Sequence, residues 1–373
     1  MRIGIDGRCL EWNRGGPARY LTQMLTRWPR LSSRHRYVLF FQRAIPGDDF
    51  LKDGSFERVL IPGPAFLKTR RILGEQILLP PAVRRSRLDL FFSPWYSVPL
   101  ISFVPRTVIA VWDISYTTHP DHFTPAERFS FGYFSSRSSR RASGIITCSP
   151  FDARQIESYY GIPPERILTV QLAAGDDFSP GTDPERGRAF RRRRGLPERY
   201  LLSMGIIIKR RDVDVKIDAF REVMGEFPDA GLVVIGRNAV FPAVDIVGRM
   251  KDLIASGRGV YLERAADEDL ADFYRNAWYY MCTSTVDGES LMLKEALKCG
   301  TPVIASPMLR EAVDGNAVVI EDPTSRAGTA AVFRAVLRDA AAREERAAAG
   351  LAWARTLDWD TVARQSLAFL ESR

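Results

Sequence analysis

The sequence has few of the residues that support metal, redox or disulfide chemistry. Its 373 residues include three histidines and four widely spaced cysteines, with no C-x-x-C pair. This distribution argues against a disulfide framework and predicts reduced, mostly buried thiols. Two histidines lie close together in "THPDH" (118–122), but a third metal ligand is not in view beside them. We therefore assign no metal and no cofactor to the chain.

Long apolar runs and several nucleotide or hydrolase fingerprints are also missing. No run reaches the ~18 apolar residues that a membrane-spanning helix needs, and the opening "MRIGIDGRCL" resembles a strand more than a signal peptide. There is no G-x-G-x-x-G, no Walker-type lysine loop and no G-x-S-x-G. We expect a cytoplasmic protein, with peripheral attachment to the inner face of the cell membrane as an option.

Positive charge is present in excess and is clustered. Lysine and arginine number 53 against 45 acidic residues, a net charge of +8. The clusters are "KTRR" (68–71), "RRSR" (84–87), "RSSRR" (137–141) and "RRRR" (191–194). A solvated surface and an acidic partner both explain such clusters, and this choice stays open. Nucleic acid is not expected as a partner, because no zinc-ligand spacing, ribonucleoprotein motif or heptad-linked basic region is found.

Short apolar runs alternate with amphipathic stretches along the chain. Runs such as "RIGID" (2–6) and "LLSMG" (201–205) are typical of buried strands, and "DVKIDAFREVMGEF" (214–227) is typical of a helix. This alternation predicts an α/β protein with doubly wound parallel sheets. A polar, strand-free segment predicts a hinge between two domains. The predicted borders are 1–175, a hinge at 176–199, a second domain at 200–356, and a last helix at 357–373 that crosses back to the first domain.

One stretch places an acid at each end of an apolar, helix-like run. In "VDGESLMLKEALKCGTPVIAS" (286–306), Asp287 and Glu295 are eight positions apart, and a strand-like run precedes them. We expect Asp287 and Gly288 at the helix N-terminus, where free N–H groups and the helix dipole favour an anion. From spacing alone, a capping Asp287 and a solvated Glu295 near Lys298 remain the alternative.

A basic loop follows the strand that ends at Gly205. In "GIIIKRRDVDVKIDAF", Arg210 and Arg211 stand at the start of a helix. Two guanidinium groups placed in this way can clamp a diphosphate through paired hydrogen bonds. A loop neutralised by Asp212 or Asp214 is the alternative.

A glycine pair follows the first strand, in "NRGGPARY" (13–20). Gly15 and Gly16 would let the backbone approach a ligand closely at the start of a helix. An ordinary loop is the alternative reading of this stretch.

Together these stretches resemble the retaining GT-B glycosyltransferases of family four, which includes many bacterial lipopolysaccharide and capsule enzymes. The resemblance covers nearly the whole chain, and its most specific part is A-x-x-C-G-T-P-V-I-A-S after an acid-x₇-Glu. It implies two Rossmann-like domains facing each other across a cleft. The first domain would bind the acceptor, and the second would bind a nucleoside-diphosphate sugar, which is the donor substrate and not a cofactor.

The resemblance also implies roles for individual residues. Glu295 matches the acid that binds the ribose hydroxyls, and Asp287 matches the acid near the transferred sugar. Arg210 and Arg211 match the basic pair on the donor diphosphate. The catalytic candidates are Asp287, Arg210, Arg211 and Asp113. The further donor-binding candidates are Gly15, Gly16, Gly205, Gly288, Glu289, Ser290, Leu291 and Glu295.

The chain departs from the family pattern at several of these positions. Asp287 replaces the usual glutamate, and the run Gly288-Glu289-Ser290-Leu291-Met292 replaces Gly-Phe-Gly-Leu-Pro. Trp112 occupies the position of the histidine in V-H-D, whereas Asp113 is kept. Tryptophan has one N–H donor and no titratable nitrogen, so the polar contact that this histidine makes to the sugar must be lost or moved.

The implied activity is transfer of a sugar to a glycan or lipid-linked acceptor, with retained configuration, in cell-surface polysaccharide synthesis. Front-face attack, with the leaving phosphate taking the proton, is commonly invoked for the family, and no metal is needed. The stretch "AERFSFGYFSSRSSRR" (126–141) could rest on an anionic membrane surface, or its aromatic residues could be core. Two other classes stay open: a catalytically weakened homologue that acts as a nucleotide- or glycan-binding scaffold, and a different two-Rossmann enzyme such as an epimerase or dehydrogenase.

Overall fold

The chain folds into two compact α/β units. The computed structural model describes residues 1–12, 15–68, 70–101, 104, 106–240 and 244–373. Unit 1 consists of Met1–Leu172 with Trp359–Arg373, and unit 2 consists of Ala173–Asp358. The chain therefore divides close to the borders expected at 175 and 357, and the final helix groups with unit 1.

Unit 1 contains a seven-stranded parallel sheet with the order β3-β2-β1-β4-β5-β6-β7. Its strands are β1 (Arg2–Asp6), β2 (Arg36–Phe41), β3 (Phe56–Leu60), β4 (Leu90–Ser93), β5 (Thr107–Ala110), β6 (Gly144–Thr147) and β7 (Ile167–Thr169). Its helices before residue 173 are α1 (Cys9–Trp12), α2 (Gly16–Leu31), α3 (Ala65–Lys68), α4 (Arg71–Leu73), α5 (Leu79–Arg85), α6 (Ser115–Thr118), α7 (Pro125–Glu127), α8 (Phe134–Arg141) and α9 (Pro150–Tyr160). π-Helical segments at Gly74–Leu78 and Arg128–Tyr133 precede α5 and α8.

Unit 2 contains a six-stranded parallel sheet with the order β10-β9-β8-β11-β12-β13. Its strands are β8 (Arg199–Met204), β9 (Ala230–Ile235), β10 (Gly259–Leu262), β11 (Tyr279–Cys282), β12 (Val303–Ala305) and β13 (Ala317–Val319). Its helices are α10 (Pro184–Arg194), α11 (Val213–Val223), α12 (Ile246–Ala255), α13 (Leu270–Arg275), α14 (Leu291–Lys298), α15 (Arg326–Arg338) and α16 (Ala340–Ala354), and α17 (Trp359–Ser372) follows in unit 1.

Both faces of the second sheet are buried. Leu202 and Val233 belong to one hydrophobic core, whereas their chain neighbours Leu201 and Leu232 belong to a second core. Because alternate residues of a strand point to opposite faces, helices must cover both sides of the sheet. The α/β class and the doubly wound parallel sheets predicted from the sequence are confirmed.

The two strands that the sequence did not predict lie at the edges of the first sheet. In β3 (Phe56–Leu60) only Phe56 is buried, and β7 (Ile167–Thr169) has three residues, none of them fully buried. Edge strands have one neighbour and partial cover, so their sequences lack the continuous apolar run of a central parallel strand.

The segment expected to be a hinge, 176–199, is a folded part of unit 2. Its helix α10 buries Phe190 against Phe273, with ring centroids 5.1 Å apart. Arg193 pairs with Asp269 at 3.2 Å, and Arg194 binds the other oxygen of the same carboxylate. The composition of this segment is polar because its arginines bind acids of α13 and the turn before it, and much of its basic charge is already paired.

The C-terminal helix α17 packs on α2 in unit 1. The hydroxyl of Tyr20 donates to Ser366 Oγ at 2.8 Å, and the indole N–H of Trp28 donates to the carbonyl of Ala363 at 3.1 Å. Both aromatic side chains are fully buried. The hydrogen bonds therefore fix the helix at a specific register on α2.

All four cysteines are free and buried, which confirms the predicted buried thiols. Within the described ranges, no helix combines the length and the apolar character that crossing a membrane requires. The same residues include no group of three histidine, cysteine or acidic side chains arranged around a common point.

Candidate active site

The order of strands in unit 2 reverses between β8 and β11, which are hydrogen-bonded neighbours. The loop after β8 carries Gly205, Arg210 and Arg211, and the loop after β11 carries Asp287 and leads into α14. In doubly wound sheets, ligands bind outside the carboxyl ends of the strands at such a reversal point. The fold therefore places both predicted loops beside the crevice where a ligand is expected.

Arg210 and Asp287 bind each other across this point. The Nε of Arg210 lies 2.9 Å from Oδ1 of Asp287. The backbone N–H of Thr285 donates to the carbonyl of Arg210 at 3.0 Å, and the hydroxyl of Thr283 donates to the carbonyl of Arg211 at 3.2 Å. The two loops form one hydrogen-bonded structure, so the basic pair and the first acid converge as a group.

Asp287 lies in the loop before the helix, not at the helix terminus. The helix α14 begins at Leu291 with Ser290 as its N-cap, so the expectation that Asp287 and Gly288 sit at the N-terminus is wrong by a few residues. The carboxylate of Asp287 instead accepts a hydrogen bond from the hydroxyl of Ser284 at 2.9 Å. Together with Arg210, this bond fixes the orientation of Asp287, and Gly288 beside it is buried.

Arg211 lies across Gly205. Gly205 has a φ of 118°, and a Cβ added there would come within 2.1 Å of Nη1 of Arg211 and 2.9 Å of Sδ of Met292. The same Nη1 donates to the carbonyl of Ile206 at 3.3 Å. Only glycine fits both this backbone conformation and this close approach. The guanidinium group of Arg211 therefore lies beside the first turn of α14.

Glu295 is a buried acid on the same face of α14 as Met292. The two residues are three positions apart on one helix, so they are neighbours on its surface. Glu295 is 3% exposed, and its Oε2 accepts a hydrogen bond from the hydroxyl of Tyr274 at 3.0 Å. The alternative of a solvated Glu295 near Lys298 is wrong, because Lys298 reaches the carbonyl of Gly175 at 2.9 Å instead.

Glu289 is occupied by an ion pair within unit 2. Its Oε2 lies 2.6 Å from Nζ of Lys294, whose side chain is fully buried, and its Oε1 accepts the N–H of Ser290 at 2.7 Å. Burial raises the pKa of Glu289, and Lys294 opposes that effect. Glu289, one of the donor-binding candidates, therefore stabilises the loop from within. Leu291, another candidate, is the first residue of α14 and has a partly exposed side chain.

A buried lysine adds positive charge beneath the basic loop. Burial lowers the pKa of Lys216 to about 8, and its ammonium group donates to Ser203 Oγ at 3.3 Å. Asp212 lies near it with a left-handed φ of 44°, and mainly burial raises the pKa of this acid to about 6. The sequence did not predict a role for Lys216, because its position in an amphipathic helix resembles that of a surface residue.

The remaining candidates lie in unit 1. Gly15 is the N-cap of α2 and Gly16 is its first residue, whereas residues 13 and 14 of the same loop lie outside the described residues. A Cβ added at Gly16 would meet nothing within 4 Å. The indole N–H of Trp112 donates to the carbonyl of Pro94 at 2.9 Å. The single donor of Trp112 is thus used within the fold.

The structure brings Gly205, Arg210, Arg211 and Asp287 to one edge of unit 2, and Glu295 lies further along α14, bound to Tyr274. The hydrogen-bond partners of these residues could not be found from the sequence. Tyr274 lies on another helix and Ser284 lies in the loop before Asp287, and neither forms part of a motif with the acid that it binds.

Comparisons with known proteins identify relatives of both units. The sequence matches the family model of glycosyl transferases group 1 over residues 188–352 and that of Glycosyltransferase Family 4 over residues 14–172. O-antigen chain mannosyltransferase B of Escherichia coli is 27% identical over 317 residues, which are 81% of this chain and 81% of that protein.

Solved structures share the fold at low sequence identity. WaaG, a glycosyltransferase involved in lipopolysaccharide biosynthesis, superposes with a TM-score of 0.74 at 15% identity over 98% of each chain. HepE of Anabaena in complex with UDP-glucose superposes with a TM-score of 0.75 at 18% identity over the whole of each chain. Fold and family models together define a GT-B glycosyltransferase. The chain belongs to glycosyltransferase family 4, as the resemblance in its motifs implied.

Proposed function

We propose that this protein transfers a sugar, with mannose as the first candidate, from a nucleoside-diphosphate sugar to a glycan or lipid-linked acceptor in cell-surface polysaccharide synthesis. The name of the E. coli mannosyltransferase supports the sugar and the O-antigen setting, and the complex of HepE with UDP-glucose supports the type of donor. The observation that carries the proposal is the convergence of Arg210, Arg211 and Asp287 at the reversal point of the unit 2 sheet.

The donor diphosphate would bind between the basic loop and the start of α14. Arg210 and Arg211 supply guanidinium groups, and the first backbone N–H groups of α14 add partial positive charge. In the free protein Arg210 binds Asp287, so a bound diphosphate competes for that guanidinium group and leaves Asp287 able to meet the sugar. Glu295, oriented by the hydroxyl of Tyr274, would accept hydrogen bonds from the ribose.

The proposed catalysis stabilises the negative charge that develops on the leaving diphosphate. As the bond from the sugar to the diphosphate breaks, charge accumulates on the leaving oxygens, and fixed guanidinium groups stabilise it without reorganising. Arginine performs this role without a metal ion, so we propose transfer that needs neither metal nor cofactor. Because Trp112 has no titratable nitrogen, the acceptor proton would pass to the leaving phosphate, with attack on the front face and retained configuration.

A basic and aromatic surface on unit 1 supports peripheral attachment to the inner face of the cell membrane. Phe129 is 64% exposed and stacks on Tyr133 at 5.5 Å, and the guanidinium group of Arg137 lies 4.4 Å from the centre of the Tyr133 ring. Phe131, by contrast, stacks on Tyr116 with ring centroids 5.7 Å apart, so part of the π-helical segment Arg128–Tyr133 packs against the core. Exposed aromatic rings beside arginines suit anionic lipid. We expect Phe129→Ala to reduce sedimentation with phosphatidylglycerol vesicles, and unchanged sedimentation would refute the attachment.

One experiment tests the transfer directly. The protein is incubated with GDP-mannose, UDP-glucose and related donors, with mannose and glucose disaccharides as acceptors, in the presence of EDTA. Proton NMR then follows the nucleoside diphosphate, the new glycosidic bond and its anomeric configuration. We expect a retained product with at least one donor. Nucleotide binding without turnover across the panel would instead support the scaffold, for which the occupied N–H of Trp112 is the favouring observation.

A further inference from the structure

A strained residue lies in unit 1 in the loop after β4. Tyr96 has a φ of 41°, in the left-handed region that bulky aromatic residues rarely adopt. Such conformations persist only where the surrounding structure over-determines them, and they concentrate at binding and catalytic sites. The strained conformation of Tyr96 therefore indicates that this loop holds side chains in place for a function.

Several contacts fix Tyr96 in this conformation. Its backbone N–H donates to the carbonyl of Ala110 at 2.9 Å, and its hydroxyl donates to Oδ2 of Asp113 at 2.8 Å. The ring packs edge-on against Tyr116 and Phe131, with centroids 6.0 and 5.9 Å away. Backbone, ring and hydroxyl are each held by a different neighbour, so the orientation of the side chain is defined.

The loop occupies the reversal point of the unit 1 sheet. There β4 lies between β1 and β5, so the loop after β4 opens at the edge where a doubly wound sheet binds a ligand. Trp95 and Tyr96 are both partly exposed in that loop. The bond from Trp112 to the carbonyl of Pro94 ties the neighbouring loop after β5 to it. Trp95 and Tyr96 are thus adjacent, partly exposed aromatic side chains in a loop that its contacts hold in place.

Adjacent, partly exposed aromatic rings suit a saccharide. A sugar ring has an apolar face of C–H groups, and tryptophan and tyrosine offer a large apolar ring face on which it can stack. We propose that Trp95 and Tyr96 form the subsite for the terminal sugar of the acceptor. The assignment rests on the proposed transfer to a glycan, since the bound nucleotide is expected on unit 2.

The same geometry assigns a positioning role to Asp113. Its Oδ2 accepts the hydroxyl of Tyr96, and its Oδ1 accepts the N–H of Ser115 at 2.9 Å and the hydroxyl of Ser115. A carboxylate with both oxygens engaged in this way holds its neighbours in place and is poorly placed to take a proton from an acceptor. Asp113, a catalytic candidate from the sequence, thus acts through Tyr96 as a positioning residue.

Saccharide binding tests the subsite independently of turnover. Saturation-transfer NMR measures binding of mannose and glucose disaccharides, and calorimetry measures binding of GDP and UDP to the same samples. We expect Trp95→Ala to weaken disaccharide binding about tenfold and to leave nucleotide affinity unchanged. Tyr159→Ala, which removes an exposed ring from α9, is the matched control. Equal disaccharide affinity of Trp95→Ala and wild type, or no binding by wild type, would overturn the proposal.

Asp113 variants separate positioning from base catalysis. The side-chain oxygen of an asparagine at position 113 can still accept the hydroxyl of Tyr96. We therefore expect kcat of Asp113→Asn to stay within about threefold of wild type. Loss of a general base would instead lower kcat by about 10²–10⁴. Asp113→Ala should raise the acceptor KM about tenfold at unchanged donor KM. A loss of kcat beyond about a hundredfold in Asp113→Asn would overturn the positioning role. If the protein binds GDP or UDP but does not turn over, the proposed transfer fails while the disaccharide titration still decides the subsite.

Discussion

The ion pair between Glu289 and Lys294 gives the sharpest stability prediction. It joins the loop after β11 to α14, and its side chains are 6% and 0% exposed. Lys294→Met keeps the length and the apolar stem of the side chain but removes the ammonium group. The carboxylate of Glu289 then loses the cation that balances its burial, and we expect unit 2 to be strongly destabilised.

Proton uptake by Glu289 limits the expected loss of stability. The buried carboxylate either stays charged without a partner or takes up a proton, and the second route limits the cost. Protonating a glutamate of ordinary pKa ~4.3 at pH 7 costs about 4 kcal/mol, at about 1.36 kcal/mol per pH unit. Loss of one partner of a buried pair typically costs about 3–5 kcal/mol, which is consistent with this limit.

The destabilisation of Lys294→Met should increase with pH. Without Lys294, only the N–H of Ser290 still opposes the effect of burial, and the pKa of Glu289 in the folded state rises further above its unfolded value. The folded variant then binds more protons than the unfolded chain, so its stability falls as pH rises from the unfolded towards the folded pKa. The penalty is present at pH 7 and should shrink to about 1 kcal/mol at pH 5.

Calorimetric melting of the full chain measures this loss. For a domain of the size of unit 2, about 1 kcal/mol shifts Tm by about 2–4 °C, so we expect Lys294→Met to lower Tm by roughly 8–16 °C at pH 7. Lys251→Met, an exposed lysine on α12, is the matched control. Glu289→Leu combined with Lys294→Met should recover most of the stability, because an apolar pair replaces the ions. A wild-type Tm for Lys294→Met at pH 7, or a deficit equal at pH 5 and pH 7, would refute this reasoning.

Three further predictions concern residues that support the candidate active site. Gly205→Ala places a methyl group against Arg211, so we expect nucleoside diphosphate affinity to fall at least about tenfold by calorimetry; unchanged affinity would contradict this placement. Tyr274→Phe removes the hydrogen bond to Glu295 and should lower the free energy of unfolding in urea by about 1.5–3 kcal/mol, the usual contribution of a hydrogen bond to a charged group. Wild-type stability would show that the bond is unimportant. Burial raises the pKa of Asp212 to about 6, so its charge destabilises the fold above that pH; Asp212→Asn should raise Tm at pH 8 and not near pH 4, and a shift equal at both pH values would exclude this cause.

The core of the fold could be predicted from the sequence because central parallel strands are apolar throughout. β2 and β4 are buried along almost their whole length, and such runs are visible without a structure. The edge strands β3 and β7 could not be recognised for the opposite reason. The segment at 176–199 looked like a linker because its polar residues bind partners that lie far away in the sequence, such as Asp269.

The site was only partly predictable. The convergence of Arg210 and Asp287 could be expected, because loops at the carboxyl ends of neighbouring strands meet at one edge. The burial of Glu295 and its bond to Tyr274 could not, since the two residues lie on different helices whose packing sequence periodicity does not specify. Glu289 was expected to face the donor because its motif position suggested this. Its partner Lys294 is five residues along, and no helical spacing rule links the two.

The most direct test of the central claim is a calorimetric titration of GDP and UDP into wild type and Arg211→Ala. Arg192→Ala, which removes an exposed arginine from α10 in the same unit, controls for the loss of one positive charge. We expect wild type and Arg192→Ala to bind at least one nucleotide equally, and Arg211→Ala to bind it at least about tenfold more weakly. Equal affinity of Arg211→Ala and wild type would contradict the assignment of the diphosphate site to the reversal point of unit 2.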